Sequence, residues 1–122
     1  MTSARQALGG RAESLACEYL ERHGLELVLR NYRRRLGELD LVLRDGDTLV
    51  IVEVRTRARK DFGGAAASID AFKQRRIVRA AHQLLQQRRE LARMRARFDV
   101  VVVHDADDEA PRVEWIRHAF SA

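Results

Sequence analysis

Two apolar runs around one turn dipeptide constrain this chain more than any other feature. Residues 37 to 43 read GELDLVL, residues 49 to 57 read LVIVEVRTR, and Asp45-Gly46 stands between them. Aliphatic and β-branched residues flanking Asp-Gly form the strongest short-range signal for a β-hairpin. With Asp45 and Gly46 as the two turn residues, Arg44 faces Asp47, Glu38 faces Glu53 and Asp40 faces Ile51. Leu39, Leu41, Leu43, Val50, Val52 and Val54 then share one face, while Glu38, Asp40, Glu53 and Arg55 share the other. A four-residue loop keeps that parity, whereas a three-residue loop would send Asp40 and Glu53 to opposite faces.

An ionised carboxylate on a core strand is costly unless it is paired or holds a metal. In the expected register Asp40 and Glu53 are diagonal neighbours, roughly 7–8 Å apart at the backbone, and their side chains can close around a cation. Hard oxygen ligands with open positions suit Mg²⁺ or Mn²⁺, and such an ion would remove the repulsion between them. Cross-strand ion pairs with arginines account for the same carboxylates without a metal, so spacing alone leaves both readings open.

The remaining elements follow from periodicity. Leu8, Ala12, Leu15, Ala16, Tyr19 and Leu20 fall on one helical stripe, and Gly24 supplies a stop. Residues 25 to 31, 36 to 44 and 48 to 55 read as three strands. The Gly- and Ala-rich loop DFGGAAAS leads into a second helix, with Ser68 the expected N-cap and Ile77, Ala80, Ala81, Leu84 and Leu85 on its apolar stripe. Residues 98 to 103 and 112 to 118 complete the set as two more strands. The order is α-β-β-β-α-β-β, an α/β chain with a mixed β-sheet flanked by helices. The first three strands suit an antiparallel meander, and the helix between the third and fourth permits a parallel pair. With 122 residues, no internal repeat and no long linker, residues 1–122 are expected to form a single domain.

The 23 Lys and Arg against 18 Asp and Glu leave a net charge of +5, which favours polyanionic partners. Lysine occurs only at Lys60 and Lys73, so the cations are mostly guanidinium forks suited to phosphate. Arginine-rich composition also arises from codon usage, and placement carries more information than the total. Basic residues concentrate in RNYRRR (30 to 35), RTRARK (55 to 60) and the run from 73 to 97. The acidic DADDE before Pro111 reads as a solvated turn. Cys17 is the only cysteine, no apolar run reaches membrane-spanning length, and MTSARQALGGRAES has no core for a secretion signal. The expectation is a cytoplasmic protein with no membrane partner. His23, His82, His104 and His118 are too scattered for a zinc site, FGGAAAS lacks the Lys-Ser/Thr of a phosphate-binding loop, and Cys17 has no evident partner base.

The stretch GELDLVLRDGDTLVIVEVRTR resembles the signature of the YraN family of bacterial proteins. GRAESLACEYLERHG, NYRRRLGELD, Phe62, Gly63, Lys73, RFDVV and VEWIRHAF resemble further family features in family order, over nearly the whole chain. This resemblance implies the restriction-endonuclease-like fold of the PD-(D/E)XK superfamily, similar to archaeal Holliday junction resolvases. It also implies a Mg²⁺- or Mn²⁺-dependent nuclease-like activity on DNA, on branched or single-stranded structures. Asp40 takes the place of the motif's first acid and Glu53 that of its second, with the Val54 carbonyl as a further metal ligand. Glu13 resembles the extra acid that resolvase-like members send into the site, its plainer reading being a solvated helix surface group. Glu38 is a candidate for orienting metal or water, or simply pairs with an arginine of the neighbouring strand. Resolvase-like relatives are often dimers, so a homodimer is expected by that analogy.

The chain departs from the motif at Arg55, which gives Glu-Val-Arg in place of Glu-x-Lys. Arginine stabilises a phosphate through paired hydrogen bonds but stays protonated, so any role for a neutral amine must go elsewhere. Lys73 lies one turn before Ile77, where a crossover helix starts near the end of the third strand. It is the candidate replacement, and capping the sheet edge is the plain alternative. Gln74 is a candidate for contacting phosphate, and Arg33, Arg34, Arg35, Arg57, Arg59 and Lys60 for binding the nucleic-acid backbone. The departure keeps a second function class in view, a catalytically silent nucleic-acid-binding or scaffold protein with a nuclease fold.

Overall fold

The computed structural model describes residues 4–58 and 69–122. Helix α1 (Ala4–Arg22) precedes strands β1 (Glu26–Arg34), β2 (Gly37–Asp45) and β3 (Thr48–Arg57). Helix α2 (Ala71–Gln87) and the one-turn helix α3 (Arg89–Ala92) lead to β4 (Arg95–His104) and β5 (Arg112–Phe120). The strands form one sheet in the order β1-β2-β3-β4-β5, antiparallel except for the parallel β3–β4 pair. The mixed sheet flanked by helices is therefore the expected one, with α3 the addition.

Period-two alternation in the central strands divides the core between the two faces of the sheet. Val50 and Val52 of β3 pack with Ala12, Ala16, Cys17 and Leu20 of α1. Leu49 and Ile51 pack with Ile77, Ala80, Ala81 and Leu84 of α2. Both faces of β3 are thus covered, which explains why its sequence is a nearly continuous apolar run. The α2 stripe is the one its spacing predicts, but the helix starts later. Asp70 is its N-cap, accepting a hydrogen bond from the Lys73 N–H at 2.7 Å. The expected cap, Ser68, lies outside the described residues, as do Arg59, Lys60, Phe62 and Gly63.

The hairpin register differs from expectation by two residues. Asp45 pairs with Thr48, Leu43 with Val50 and Leu41 with Val52, so the turn residues are Gly46 and Asp47. A tight turn centred on Asp45-Gly46 would need left-handed backbone at both positions. Gly46 takes a φ of +60°, and Asp45 is not among the described non-glycine residues with positive φ. The slip preserves parity, so Asp40 and Glu53 stay together, but it moves Glu38 away from Glu53 and brings Asp40 level with it.

A second correction concerns Leu39, which joins the α2-side core with Tyr32 and Val42 while Leu41 and Leu43 join the α1 side. The cause lies at Asp40, where the β2–β3 ladder stops. Beyond the Leu41–Val52 pair, β2 remains bonded to β1 through Tyr32–Leu39, Arg33–Glu38 and Arg34–Gly37. The rest of β3 runs on with β4 through Glu53–Val100 to Arg57–His104. The sheet forks between Asp40 and Glu53.

A buried carboxylate that the sequence reading passed over holds the far edge. Asp99 of β4 is fully buried and accepts hydrogen bonds from Arg97 Nε (3.0 Å), Trp115 Nε1 (2.8 Å) and the His118 N–H (3.0 Å). It sits where the β4–β5 register slips between Phe98 and Val100, and His118 has a φ of +52°. The pair is satisfied and structural. Removing one partner of a buried ion pair strands the other, so Asp99→Ala is expected to destabilise the fold by roughly 3–5 kcal/mol in urea unfolding, and a loss below about 1 kcal/mol would contradict this role.

Candidate active site at the sheet fork

The fork leaves the Val54 amide without a main-chain partner on β2, and the Asp40 side chain supplies one. Asp40 Oδ2 accepts the Val54 N–H at 2.9 Å. That bond ties the two acidic strands together where their ladder has ended and holds the Asp40 carboxylate beside Glu53. Glu53 is only 8% exposed, on a face otherwise built of Ile51, Val100 and Val102.

Lys73, in the first turn of α2, reaches this carboxylate. Its Nζ stands 3.3 Å from Glu53 Oε2, an atom that is itself buried and makes no hydrogen bond. The ion pair satisfies the charge better than the geometry, since an ammonium within 4 Å attracts without being aligned. Burial first, and then Asp40, push the Glu53 carboxyl from a usual 4.5 up to about 8 against the opposing pull of Lys73.

Asp40 also acts towards the α1 side of the sheet. Glu13 on α1 lies 3.7 Å from the Arg30 guanidinium, and its pKa is raised first by burial and then by the Asp40 charge. Arg30 and a hydrogen bond with Asn31 pull the other way. Asn31 has a φ of +54° on the strand that pairs with β2 beside Asp40, a role that no sequence pattern announced. Two carboxyls, Glu13 and Glu53, thus flank Asp40 from opposite sides of the sheet.

The other candidates divide into near and far. Arg55 is half-buried two residues beyond Glu53 and shares its face by strand alternation. Glu38 is exposed and pairs with Arg33 at 3.7 Å. Arg34 lies over the Tyr32 ring at 4.2 Å and contacts Gln87, whereas Arg33 and Arg35 are open to solvent. Arg57 is half-buried on the continuation of β3. Gln74 is turned to the backbone, its Nε2 donating to the Ile69 carbonyl at 2.8 Å.

The donor set at the fork fits a hard divalent ion. Glu53 Oε2 is an orphaned buried oxygen, Asp40 keeps a carboxylate oxygen beyond the one bonded to Val54, and the Val54 carbonyl belongs to the same turn of chain. Among the described residues no group of three or more His, Cys, Asp or Glu is placed to hold a metal by itself. Two carboxylates, with water and a substrate phosphate completing the shell, is the usual manner of Mg²⁺ sites.

These features define a mixed α/β protein whose sheet opens around a half-buried Asp40, a buried Glu53 and a helix-borne lysine. The model of the uncharacterised protein family UPF0102 matches residues 12–103, a span that includes Glu13, Asp40, Glu53, Arg55 and Lys73. A UPF0102 protein of Pseudomonas aeruginosa (strain LESB58) is 49% identical over 115 residues, 93% of this chain and 92% of the relative. Another, from Cupriavidus taiwanensis, is 53% identical over 121 residues, 98% of this chain and 86% of the relative. The chain belongs to the UPF0102 family, the YraN family of the sequence comparison.

The Glu53 shift has a consequence for stability. Its folded-state pKa lies above the unfolded value, so the folded protein retains a proton that the unfolded chain releases. The resulting stabilisation is complete below about 4.5 and is lost as pH rises through about 8. In EDTA, wild-type urea midpoints are expected to fall from pH 5 to pH 8 more steeply than those of Glu53→Gln. Parallel profiles would show that Glu53 carries no such shift.

Proposed function

We propose that this protein is a metal-dependent nuclease-like enzyme of the restriction-endonuclease-like PD-(D/E)XK class, cleaving phosphodiester bonds in branched or single-stranded DNA. The observation that carries the reading is the convergence of Asp40, Glu53 and Lys73 at the fork, from two diverging strands and the helix between β3 and β4. An α-β-β-β-α-β-β order, with the acids on the second and third strands, agrees with that class. Mg²⁺ or Mn²⁺, when bound, supplies a Lewis acid that polarises the phosphoryl group and acidifies water.

The chain's own residues do the rest. Asp40, Glu53 and the Val54 carbonyl would hold the ion, and the Asp40–Val54 hydrogen bond keeps the first two from spreading. Lys73 takes the amine position that Arg55 leaves open, its Nζ already beside Glu53 and free to turn towards a phosphate oxygen. Arg55 binds non-bridging phosphate oxygens and offsets the charge that grows on them during in-line attack, a role that needs a permanent cation and no base. Arg33 at the end of β1 and Arg35 on the β1–β2 turn lie outside the fork, where they track the adjoining backbone. The single buried thiol, Cys17, suits a reducing cytoplasm. A symmetric dimer is proposed only on the resolvase analogy.

Cleavage of labelled linear, single-stranded, flap and four-way DNA with Mg²⁺ or Mn²⁺ tests the assignment. Glu53→Gln should abolish divalent-dependent cleavage while leaving the fold and most of the salt-sensitive binding intact. Lys73→Ala should lower the rate by at least about tenfold, while Arg55→Lys should keep or raise it. If wild type cleaves none of these and Arg55→Lys awakens nothing, the enzyme reading fails and a silent DNA-binding module of the same fold takes its place.

A further inference from the structure

Two large apolar side chains stand in solvent among the described residues, Phe72 at 63% exposure and Leu36 at 50%. Neither belongs to a core stripe. The buried face of α2 begins at Ile77, and Phe72 precedes it by five residues, well off that face at 100° per residue. Leu36 occupies the turn between β1 and β2.

Both lie at the lip of the fork. Phe72 adjoins Lys73, whose ammonium touches Glu53. Gly37, next to Leu36, packs so closely on α2 that an added Cβ would collide with the Arg76 carbonyl. The Arg76 guanidinium in turn stands 5.9 Å from the Phe72 ring centroid. The hairpin tip and the first turns of α2 are therefore in contact, with an apolar group on each side of the seam. The exposed charges nearby are mainly cationic. Arg33, paired with Glu38, and Arg35 are exposed on the hairpin and Arg75 on the helix, against the capping Asp70.

An apolar ring with two guanidinium groups one helical turn away, Arg75 and Arg76, matches a ligand with flat apolar faces and regularly spaced negative charges. A protein hydrophobe would find its charge environment poor, and a paired duplex would present no open base face. We infer that Phe72, flanked by Leu36, stacks an unpaired nucleobase of single-stranded DNA whose neighbouring phosphate lies at Asp40, Glu53 and Lys73. The inference rests on the nuclease reading and gives it a substrate class, strands with unstacked bases beside the scissile bond. Aromatic stacking on such platforms tolerates any base, so the preference is for exposure of bases and not for their order.

Fluorescence anisotropy with a labelled oligothymidylate and an abasic oligomer of equal length separates stacking from phosphate attraction, because the two carry the same charge. Wild type should bind the oligothymidylate roughly tenfold or more tightly than the abasic strand. Phe72→Ala should erase that ratio without changing the salt dependence, and Phe72→Trp should keep it. Phe72 is mostly exposed, so its truncation should leave the thermal unfolding curve in place. If wild type binds single strands and Phe72→Ala retains the base preference, the platform is refuted while the nuclease reading stands. Sedimentation provides the other arm, since a wild-type dimer that Phe72→Ala dissociates, with base preference unaltered, would make this face a self-contact and equally refute the proposal. A wild type that binds no DNA at low salt would overturn both readings together.

Discussion

The site hangs on a single substitution of one acceptor for another: a side-chain carboxylate stands where a strand would supply a carbonyl. A β-sheet leaves few main-chain amides unpaired, because an unpaired buried amide costs about as much as a lost hydrogen bond. By accepting the Val54 N–H, Asp40 lets β2 and β3 part company after Leu41 and Val52 without that loss. The parting frees the start of β2 to follow β1 and the end of β3 to follow β4, and it carries Leu39 into the α2-side core. A regular hairpin would have kept the two acids within a closed ladder, with no opening between them.

Burial then sets the chemistry. Glu53 sits among Ile51, Val100 and the α2 helix, so its charged form is disfavoured first by lost solvation and next by the neighbouring Asp40. Nothing in packing demands a carboxylate there. The ion pair with Lys73 offsets part of the penalty, but breaking or keeping a buried pair is rarely a net source of stability. Compare Asp99, also on an apolar strand: it accepts hydrogen bonds from Arg97, Trp115 and His118 and is wholly accounted for by structure. The contrast between a saturated buried carboxylate and one with an orphaned oxygen is what sets the structural Asp99 apart from Glu53, the candidate for function.

Much of this was legible in the residues, and the exceptions have physical causes. The α2 stripe, the doubly covered β3 and the parallel β3–β4 pair follow from hydrophobic period and element order, which burial enforces strongly. That Asp40 and Glu53 come together was legible because parity survives a two-residue slip. The register itself was not, since it turns on which residue takes the left-handed backbone, and Asp45-Gly46 and Gly46-Asp47 differ little in composition. Leu39 could not be placed because alternation gives no warning of a fork made by one side-chain hydrogen bond. Lys73 was a candidate through chain topology, but its distance to Glu53 depends on where α2 begins, and Asp70 rather than Ser68 decides that. Asp99 had a visible sign in Arg97 two residues before it on the same strand face. Phe72 had none, as an aromatic near a helix start ordinarily reads as core.

On the proposed reading, Asp40 and Glu53 form a divalent-cation site and not merely a strained acid pair. Calorimetric titration of Mn²⁺ into wild type and Asp40→Asn tests it most directly, because asparagine can still accept the Val54 N–H and so preserves the fork while removing the charge. A cation site here gives saturable binding near one ion per chain for wild type and its loss in Asp40→Asn, with both proteins folded and unfolding cooperatively in EDTA. Equal binding by both proteins, or none by wild type, would contradict it.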